Sequence, residues 1–226
     1  MLIAGIDEAG RGPLIGSLFI AGVLIEKDYE EKLKAIGVKD SKLLTEPQRE
    51  RIRNEMMPLI KKFKLIEVSP EEIDDAVEPK DPKMKKAFNL NWLEADKTIE
   101  ILAELKPEVA YVDCPSTNTK AYTFYLQKGL AEKGINKIKL VVEHKADVNY
   151  PCSSAASIIA KVAREDHIIK LKKQIGINFG SGYPSDPITQ QFLAKSWSKL
   201  PYMFRKSWSS YKKVAEAKKQ RSLGDF

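Results

Sequence analysis

The chain has 226 residues, of which 43% are hydrophobic and 31% are charged, and its net charge is +7. This composition is typical of a soluble globular protein rather than of a mostly disordered chain, and no apolar run reaches the ~18 residues that a membrane helix needs. The N-terminus also lacks the pattern of a secretion signal. We therefore expect a cytoplasmic protein. Independently of these features, we expect a monomer.

Short apolar runs and turn residues predict the elements of the first third of the chain. Residues 2–6 and 18–25 are predicted strands of a hairpin, joined by the long loop EAGRGPLIG. Thr45 to Gln48 and Ser69 to Glu72 each place a capping hydroxyl three residues before Gln or Glu, which predicts that a helix starts there. Residues 62–69 are predicted to form a strand between these helices.

The middle of the chain alternates between helix and strand patterns. A helix is predicted from about Met84 to Leu105, and the strand EVAYVD follows it. A helix near 118–132, a strand at 137–143 and a helix at about 153–174 come next. This alternation predicts an α/β domain with parallel strand pairing.

The last part of the chain combines a break in structure with a strong positive charge. Residues 179–187 (FGSGYPSDP) are rich in Gly and Pro, and two or three basic helices are predicted after them. From residue 191 onward there are nine basic and two acidic residues, so this region carries the whole net charge of +7. A localised basic segment favours a polyanionic partner, although a solvated Lys-rich helix has the same composition.

The two cysteines, Cys114 and Cys152, do not form a CxxC pair. We expect both to be reduced, small buried residues rather than members of a disulfide or a zinc site.

Acidic residues stand at or shortly after the ends of three predicted strands: Asp7 with Glu8, Asp113, and Asp147. Carboxyl ends of parallel strands meet at one edge of a sheet, so these acids are expected to converge there. Grouped carboxylates with only oxygen donors favour Mg²⁺ or Mn²⁺. Neighbours on a regular strand face opposite sides, so Asp7 and Glu8 are expected to share a site only where the strand ends or bulges. Acids at strand ends are also ordinary turn formers, and that interpretation stays open.

Six blocks of the chain resemble ribonuclease HII, the type 2 ribonuclease H family, and its archaeal members in particular. They occur in the family's order, and they are GIDEAGRGPLIG (5–16), VKDSKLL (38–44), YVDCPS (111–116), EHKAD (143–147), SAASIIAKVAR (154–164) and FGSGYPSD (179–186). The resemblance implies a ribonuclease H-like α/β core, with a five-stranded mixed sheet flanked by helices and a smaller C-terminal helical region. We place these parts at 1–178 for the catalytic domain and 179–219 for the basic helical region.

The resemblance also implies an activity. It implies an endoribonuclease that hydrolyses the RNA strand of RNA/DNA hybrids and cleaves 5′ to ribonucleotides embedded in duplex DNA, with roles in ribonucleotide excision and RNA primer removal. Two Mg²⁺ or Mn²⁺ ions would promote in-line attack of water on phosphorus, leaving 3′-hydroxyl and 5′-phosphate ends.

Several residues acquire roles by the same resemblance. Asp7, Glu8, Asp113 and Asp147 would be both the catalytic residues and the metal ligands. The substrate-binding residues would be Gly10, Arg11 and Gly12, which sense the ribose 2′-hydroxyl, Tyr183, which packs on the sugar at the RNA-to-DNA junction, and Ser41, Lys42 and Lys145, which lie along the backbone. His144 is expected to be structural rather than a general base, and Trp197, Trp208 and Tyr211 are expected to be core aromatics of the basic helices.

Residues 220–226 resemble a peptide that binds sliding clamps. Gln220, Leu223 and Phe226 are three residues apart, a spacing that brings Leu223 and Phe226 to one side of a helical turn, where they can enter an apolar pocket. We therefore expect a sliding clamp as a partner, in addition to the RNA/DNA hybrid and the ribonucleotide-containing duplex.

Two rival functions remain open at the level of sequence. The first is a non-catalytic nucleic-acid binder whose acids only solvate strand ends. The second is another nuclease of the same fold, a junction resolvase or an exonuclease, which would cut all-DNA substrates.

Overall fold

The computed structural model of the chain describes residues 1–38, 44–79 and 89–224, with side chains described as far as residue 217. The described residues divide into two compact units that are assembled from non-consecutive segments. The first unit comprises Met1–Ala9, Phe19–Glu67 and Asn91–Ala163, and the second comprises Gly10–Leu18, Val68–Leu90 and Arg164–Phe226. The division predicted along the chain, with a boundary at residue 178, stays a prediction.

The first unit is built on a five-stranded mixed sheet with the order β3-β2-β1-β4-β5. Its strands are β1 (Leu2–Ala9), β2 (Leu18–Glu26), β3 (Lys62–Val68), β4 (Val109–Asp113) and β5 (Lys139–Glu143). β1 pairs with β2 in antiparallel fashion, whereas β1 with β4 and β4 with β5 are parallel. The predicted hairpin, the parallel pairing and the α/β fold class are therefore confirmed.

Two helices begin where capping signals predicted them, at Thr45 and Ser69. The helices are α1 (Glu30–Ala35), α2 (Glu46–Met56), α3 (Pro70–Val77), α4 (Leu90–Leu105), α5 (Thr119–Glu132), α6 (Ala146–Asn149), α7 (Pro151–Ile175), α8 (Pro187–Ser196) and α9 (Ser209–Gly224). Thr45 and Ser69 form the predicted capping boxes of α2 and α3. The helix predicted from about Met84 to Leu105 is observed over Leu90–Leu105, and its predicted start at Met84 lies outside the described residues.

A close contact between β1 and the start of α7 forms the centre of the first unit. A Cβ atom on Gly5 would lie only 2.1 Å from the backbone of Cys152 and Ser153, so only glycine allows this approach. Cys152 is fully buried here, and its buried thiol has a pKa raised to about 12. Cys114 is also buried and free, so both cysteines are reduced core residues, as predicted.

The second unit has its own apolar core, in which the residues after α7 pack on the loop after β1. Its buried members are Leu14, Ile15, Ile168, Phe179, Phe192, Leu193, Met203, Phe204 and Tyr211. Trp197 and Trp208 pack against this cluster, which confirms that these three C-terminal aromatics belong to a core. Among the residues that the structure describes, no helix has the length and apolarity to span a membrane.

Candidate active site

Three acidic side chains come together in the first unit, at the end of the central strands. One carboxylate oxygen from each of Asp7, Glu8 and Asp113 lies within 4.8 Å of the others. β1 and β4 are parallel and pair as far as Ile6 and Val112, and Asp7 and Asp113 directly follow these two residues. Their side chains therefore project from adjacent strands on the same face.

Glu8 joins this cluster at the end of β1. The strand runs only one residue further, to Ala9, and its register with β2 is regular through Asp7, Glu8 and Ala9, so there is no bulge. The pairing of β1 with β4 stops earlier, at Ile6, so no β4 residue is paired with Glu8. Asp7 and Glu8 therefore come together where the strand ends, as expected.

A very short helix orients the carboxylate of Asp113. The backbone N–H of Ala146, at the start of α6, donates to Asp113 Oδ1 at 3.0 Å. Lys145, just before α6, has φ of +62°, a left-handed conformation that turns the chain from β5 into the helix. This turn also brings Asp147 into the first turn of α6, where it is 3% exposed.

The carboxyl group of Asp7 lies in an environment that opposes its charge. Burial is the largest cause that raises the pKa of Asp7 well above its ordinary value, and the negative charges of Glu8, Asp113 and Asp147 add to it. A hydrogen bond with the side chain of Ser157, on α7, acts in the opposite direction. Asp147 therefore contributes to the electrostatics of the site, although the described group within 4.8 Å contains only the other three acids.

This arrangement suits a hard divalent cation. All donors in the cluster are carboxylate oxygens, the ligand type that Mg²⁺ and Mn²⁺ prefer. Carboxylates that are partly or fully buried beside one another are unfavourable when ionised, and a cation between them removes that repulsion. The donor set and the raised pKa of Asp7 both fit a metal-binding site.

The second unit contains the loop from Gly10 to Gly12, which is predicted to sense the sugar. This loop lies against Tyr183, the tyrosine predicted to pack at the RNA-to-DNA junction. Gly10 has φ of +90°, which only glycine adopts readily, and Gly12 is exposed. A Cβ on Gly12 would lie 3.7 Å from Tyr183 Cε1. The carbonyl of Gly182 accepts hydrogen bonds from the N–H groups of Leu14 and Ile15, at 2.8 and 3.2 Å. The structure therefore brings Gly12 and the exposed Tyr183 together.

Arg164 is a residue at this position that the sequence analysis did not single out. Its guanidinium lies 5.0 Å from the centre of the Tyr183 ring and donates to the carbonyl of Ser181 at 2.9 Å. A Cβ on Gly10 would also lie 3.0 Å from Arg164 Cδ. Arg164 and Ser157 both belong to the block SAASIIAKVAR, which contributed to the resemblance without suggesting a role for either.

One basic residue of the C-terminal region is not on the surface. Arg205 was counted among the nine basic residues that favour a polyanionic partner, but it is fully buried. It donates to the carbonyl oxygens of Gly10, Arg11 and Gly16. Arg205 is therefore not available to a polyanionic partner, because a charge count does not register burial.

The remaining predicted residues lie at exposed positions, outside the described residues, or where only the backbone is described. Lys145 and His144 are exposed, and His144 Nδ1 donates to the Cys114 carbonyl oxygen at 3.1 Å, which holds the ring at the end of β4. Ser41, Lys42 and Phe226 lie outside the described residues. Gln220 and Leu223 lie within the backbone of α9.

Comparisons with known proteins agree on one family. The family model for ribonuclease HII matches residues 4–211. A ribonuclease HII from Pyrococcus furiosus is 40% identical over 236 residues, covering 100% of this chain and 98% of its own. The crystal structure of ribonuclease H2 from Pyrococcus horikoshii OT3 is similar with a TM-score of 0.84 and 38% identity, covering 96% of this chain and 98% of that one. A solved complex of PCNA with ribonuclease HII from Archaeoglobus fulgidus contains a chain that is 39% identical, with a TM-score of 0.78, and the match covers 92% of this chain and 96% of that one.

Proposed function

The chain belongs to the ribonuclease HII family, hydrolases that act on the RNA of RNA/DNA hybrids, and we propose that it also cleaves 5′ to single ribonucleotides embedded in duplex DNA. Cleavage would leave a 3′-hydroxyl and a 5′-phosphate, and would serve ribonucleotide excision and RNA primer removal. The observation that carries the proposal is the cluster of Asp7, Glu8 and Asp113 at the ends of β1 and β4.

We propose that these three acids and Asp147 hold two divalent cations, Mg²⁺ or Mn²⁺. When bound, such ions lower the pKa of water and stabilise the charge that develops on the attacking and leaving oxygens. The carboxylate donors and the unfavourable charge of buried Asp7 support this role.

The protein's own contribution at this position is to hold the carboxylates in place. The N–H of Glu8 donates to Asp7 Oδ1 at 2.8 Å, and the N–H of Ala146 fixes Asp113. The hydroxyl of Ser154 donates to the carbonyl of Asp147, which ties α6 to α7. Groups fixed before substrate arrives do not have to be ordered during the reaction, and this is the basis of catalysis by preorganisation.

Recognition of the ribose is assigned to Gly10, Arg11, Gly12 and Tyr183. The 2′-hydroxyl distinguishes RNA from DNA, and an exposed glycine allows a sugar to approach the backbone closely. The proximity of Tyr183, whose Cε1 would lie 3.7 Å from a Cβ added to Gly12, supports a shared role for the loop and the ring. Lys145, which is exposed, and Ser41 and Lys42 are proposed to lie along the nucleic-acid backbone.

We further propose that the chain binds a sliding clamp through Gln220, Leu223 and Phe226. The complex of PCNA with the Archaeoglobus fulgidus ribonuclease HII, a protein 39% identical to this chain, supports this partner. A clamp that encircles DNA would raise the concentration of the enzyme at its substrate by tethering.

The experiment that tests the proposal compares three duplexes that share one sequence: an RNA/DNA hybrid, a DNA duplex with one ribonucleotide, and an all-DNA control. With Mg²⁺ or Mn²⁺, we expect cleavage of the first two and none of the third, and no cleavage in EDTA. Mapping of the product ends should give a 5′-phosphate on the fragment that carries the ribonucleotide. Cleavage of all-DNA substrates would instead indicate a resolvase or an exonuclease, and binding without cleavage of any duplex would indicate a non-catalytic binder.

A further inference from the structure

The loop from Gly10 to Gly16, here called the recognition loop, is held from one side by a short segment before α9. Arg205 is the centre of this segment. Its guanidinium donates to the carbonyls of Arg11, at 2.7 Å, and of Gly16, at 2.9 and 3.1 Å from two of its nitrogens. Another hydrogen bond reaches the Gly10 carbonyl at 2.5 Å. One fully buried side chain therefore fixes both ends of the loop.

Trp208 and the backbone complete this contact. Trp208 Nε1 donates to the Gly12 carbonyl at 3.2 Å, and the Trp208 ring stacks with the Arg205 guanidinium at 5.1 Å. The N–H of Arg205 donates to the Leu14 carbonyl at 2.9 Å. Residues 205–208, here called the bracket, thus hold five carbonyl groups of the loop by hydrogen bonds.

The bracket is itself anchored by a single carboxylate. Asp74 on α3 accepts three hydrogen bonds: from the N–H of Lys206 at 2.8 Å, from the N–H of Ser207 at 2.9 Å, and from the Ser207 hydroxyl at 2.6 Å. The start of α3 is fixed by the capping box of Ser69 and Glu72, so Asp74 projects from a rigid element. These donors stand at the two residues between Arg205 and Trp208.

We propose that Asp74 is a positioning residue for ribonucleotide recognition, which acts through the bracket on Gly10, Arg11 and Gly12. The inference rests on the proposed function, in which that loop senses the ribose. Asp74 does not belong to the loop, and no motif of the sequence indicates it. Its role follows from its hydrogen bonds, because an anionic acceptor binds several donors more strongly than a neutral one.

The test uses two graded variants and a matched control. Asp74→Asn keeps the shape of the side chain and removes its charge, and Ser207→Ala removes one of the three hydrogen bonds. Glu71→Gln removes an exposed acid from the same helix and should behave as wild type. For each protein, steady-state kinetics on the single-ribonucleotide duplex is combined with hydrogen exchange of the peptide that covers residues 10–16.

We expect Asp74→Asn to speed hydrogen exchange in the recognition loop but not in residues 2–9. The same variant should lower kcat by about 10- to 100-fold with little change in KM, because a small misplacement of binding groups slows the reaction to this extent. Ser207→Ala should show the same pattern to a smaller degree. Unchanged exchange in Asp74→Asn would overturn the inference, and so would faster exchange with an unchanged kcat.

Gly12→Ala separates the inference from the proposed function. Its added methyl has room, at 3.7 Å from Tyr183, so it changes the surface of the loop without a clash. If Gly12→Ala loses cleavage while Asp74→Asn keeps it, the loop senses the ribose and only the role of Asp74 fails. If Gly12→Ala keeps full cleavage at the single ribonucleotide, the assignment of the loop fails, and the inference fails with it.

Discussion

The guanidinium of Arg164 lies over the ring of Tyr183, 5.0 Å from its centre, and donates to the carbonyl of Ser181, so it covers one face of this exposed tyrosine. A cation above an aromatic ring contributes about 0.5–2 kcal/mol, depending on how far the pair is desolvated. Tyr183 is 40% exposed, so its side chain remains accessible to a substrate.

The first prediction concerns this pair. Tyr183→Ala should reduce kcat at a single embedded ribonucleotide more than it weakens binding of the RNA/DNA hybrid, whereas Tyr183→Phe keeps the ring and should retain most activity. Arg164→Met should lower kcat in the same direction by about 2- to 30-fold, the equivalent of the stacking energy. Binding is measured in EDTA and cleavage with Mg²⁺. Equal losses in binding and cleavage, or no loss at all, would make Tyr183 a structural residue only.

The second prediction is that Asp7 exchanges stability for activity. Burial and the neighbouring carboxylates raise the pKa of Asp7, so in the metal-free protein its ionised form is penalised. Stability should therefore fall as pH rises from the unfolded value of ~3.9 through the raised folded pKa. Asp7→Asn removes this penalty. Above that pKa it should raise the melting temperature in EDTA by about 2–4 °C per kcal/mol relieved.

The same variant should lose cleavage by several orders of magnitude, and so should Asp113→Asn. Addition of Mg²⁺ or Mn²⁺ should stabilise the wild type, because a ligand that binds only the folded state raises its melting temperature, and should stabilise Asp7→Asn less. The exposed Asp28→Asn is the control for loss of one negative charge. Near-normal cleavage by folded Asp7→Asn would refute the assignment of the site.

How well the sequence predicted these features depends on how local their signals are. The helix starts at Thr45 and Ser69 were predicted because a capping box lies within four residues. The acids were predicted to converge because strand ends align in a parallel sheet. The burial of Arg205 was not predicted, because its partners lie 189 to 195 residues away in the chain. The contact of Gly5 with α7 is also long-range, and no pattern near Gly5 indicates it.

The third prediction concerns the loop that carries Tyr183. The N–H and the side chain of Ser181 are the main causes that lower the pKa of Asp186 to about 2, and the N–H of Ile188 adds to them. A carboxyl with a lowered folded pKa contributes stability above its unfolded pKa of ~3.9 and loses it as pH falls toward the folded value. Asp186→Asn should therefore lower the melting temperature at pH 7, and the difference from wild type should shrink between about pH 5 and pH 2.

Asp166→Asn, at an exposed acid of α7, serves as the comparison for the pH series. The melting temperatures of Asp186→Asn and wild type are compared from neutral to acid pH. If their difference stays constant over this range, the hydrogen bonds of Asp186 do not depend on its charge. Because Asp186 closes the turn that contains Tyr183, its loss should also lower cleavage at a single ribonucleotide.

The last prediction concerns the clamp-binding peptide. The backbone of α9 runs to Gly224, so Gln220 and Leu223 are one helical turn apart. Leu223→Ala combined with Phe226→Ala should abolish binding to PCNA, because both apolar groups that would enter the pocket are removed. Deletion of residues 220–226 should have the same effect. Tethering raises apparent affinity by ~10²–10⁴ without new substrate contacts, so PCNA loaded on DNA should stimulate wild-type cleavage and not that of the double variant.

Two controls separate tethering from catalysis. Ser222→Ala changes a residue between the predicted contacts and should leave clamp affinity and stimulation unchanged. Cleavage without the clamp should be nearly equal for wild type, the double variant and the truncated protein, because the proposed carboxylates all lie on β1, β4 and α6. Calorimetry with purified PCNA gives the affinity directly. Undiminished affinity for PCNA in the truncated protein would show that another surface recognises the clamp. A loss of cleavage without the clamp would show that the peptide supports the fold rather than binding a partner.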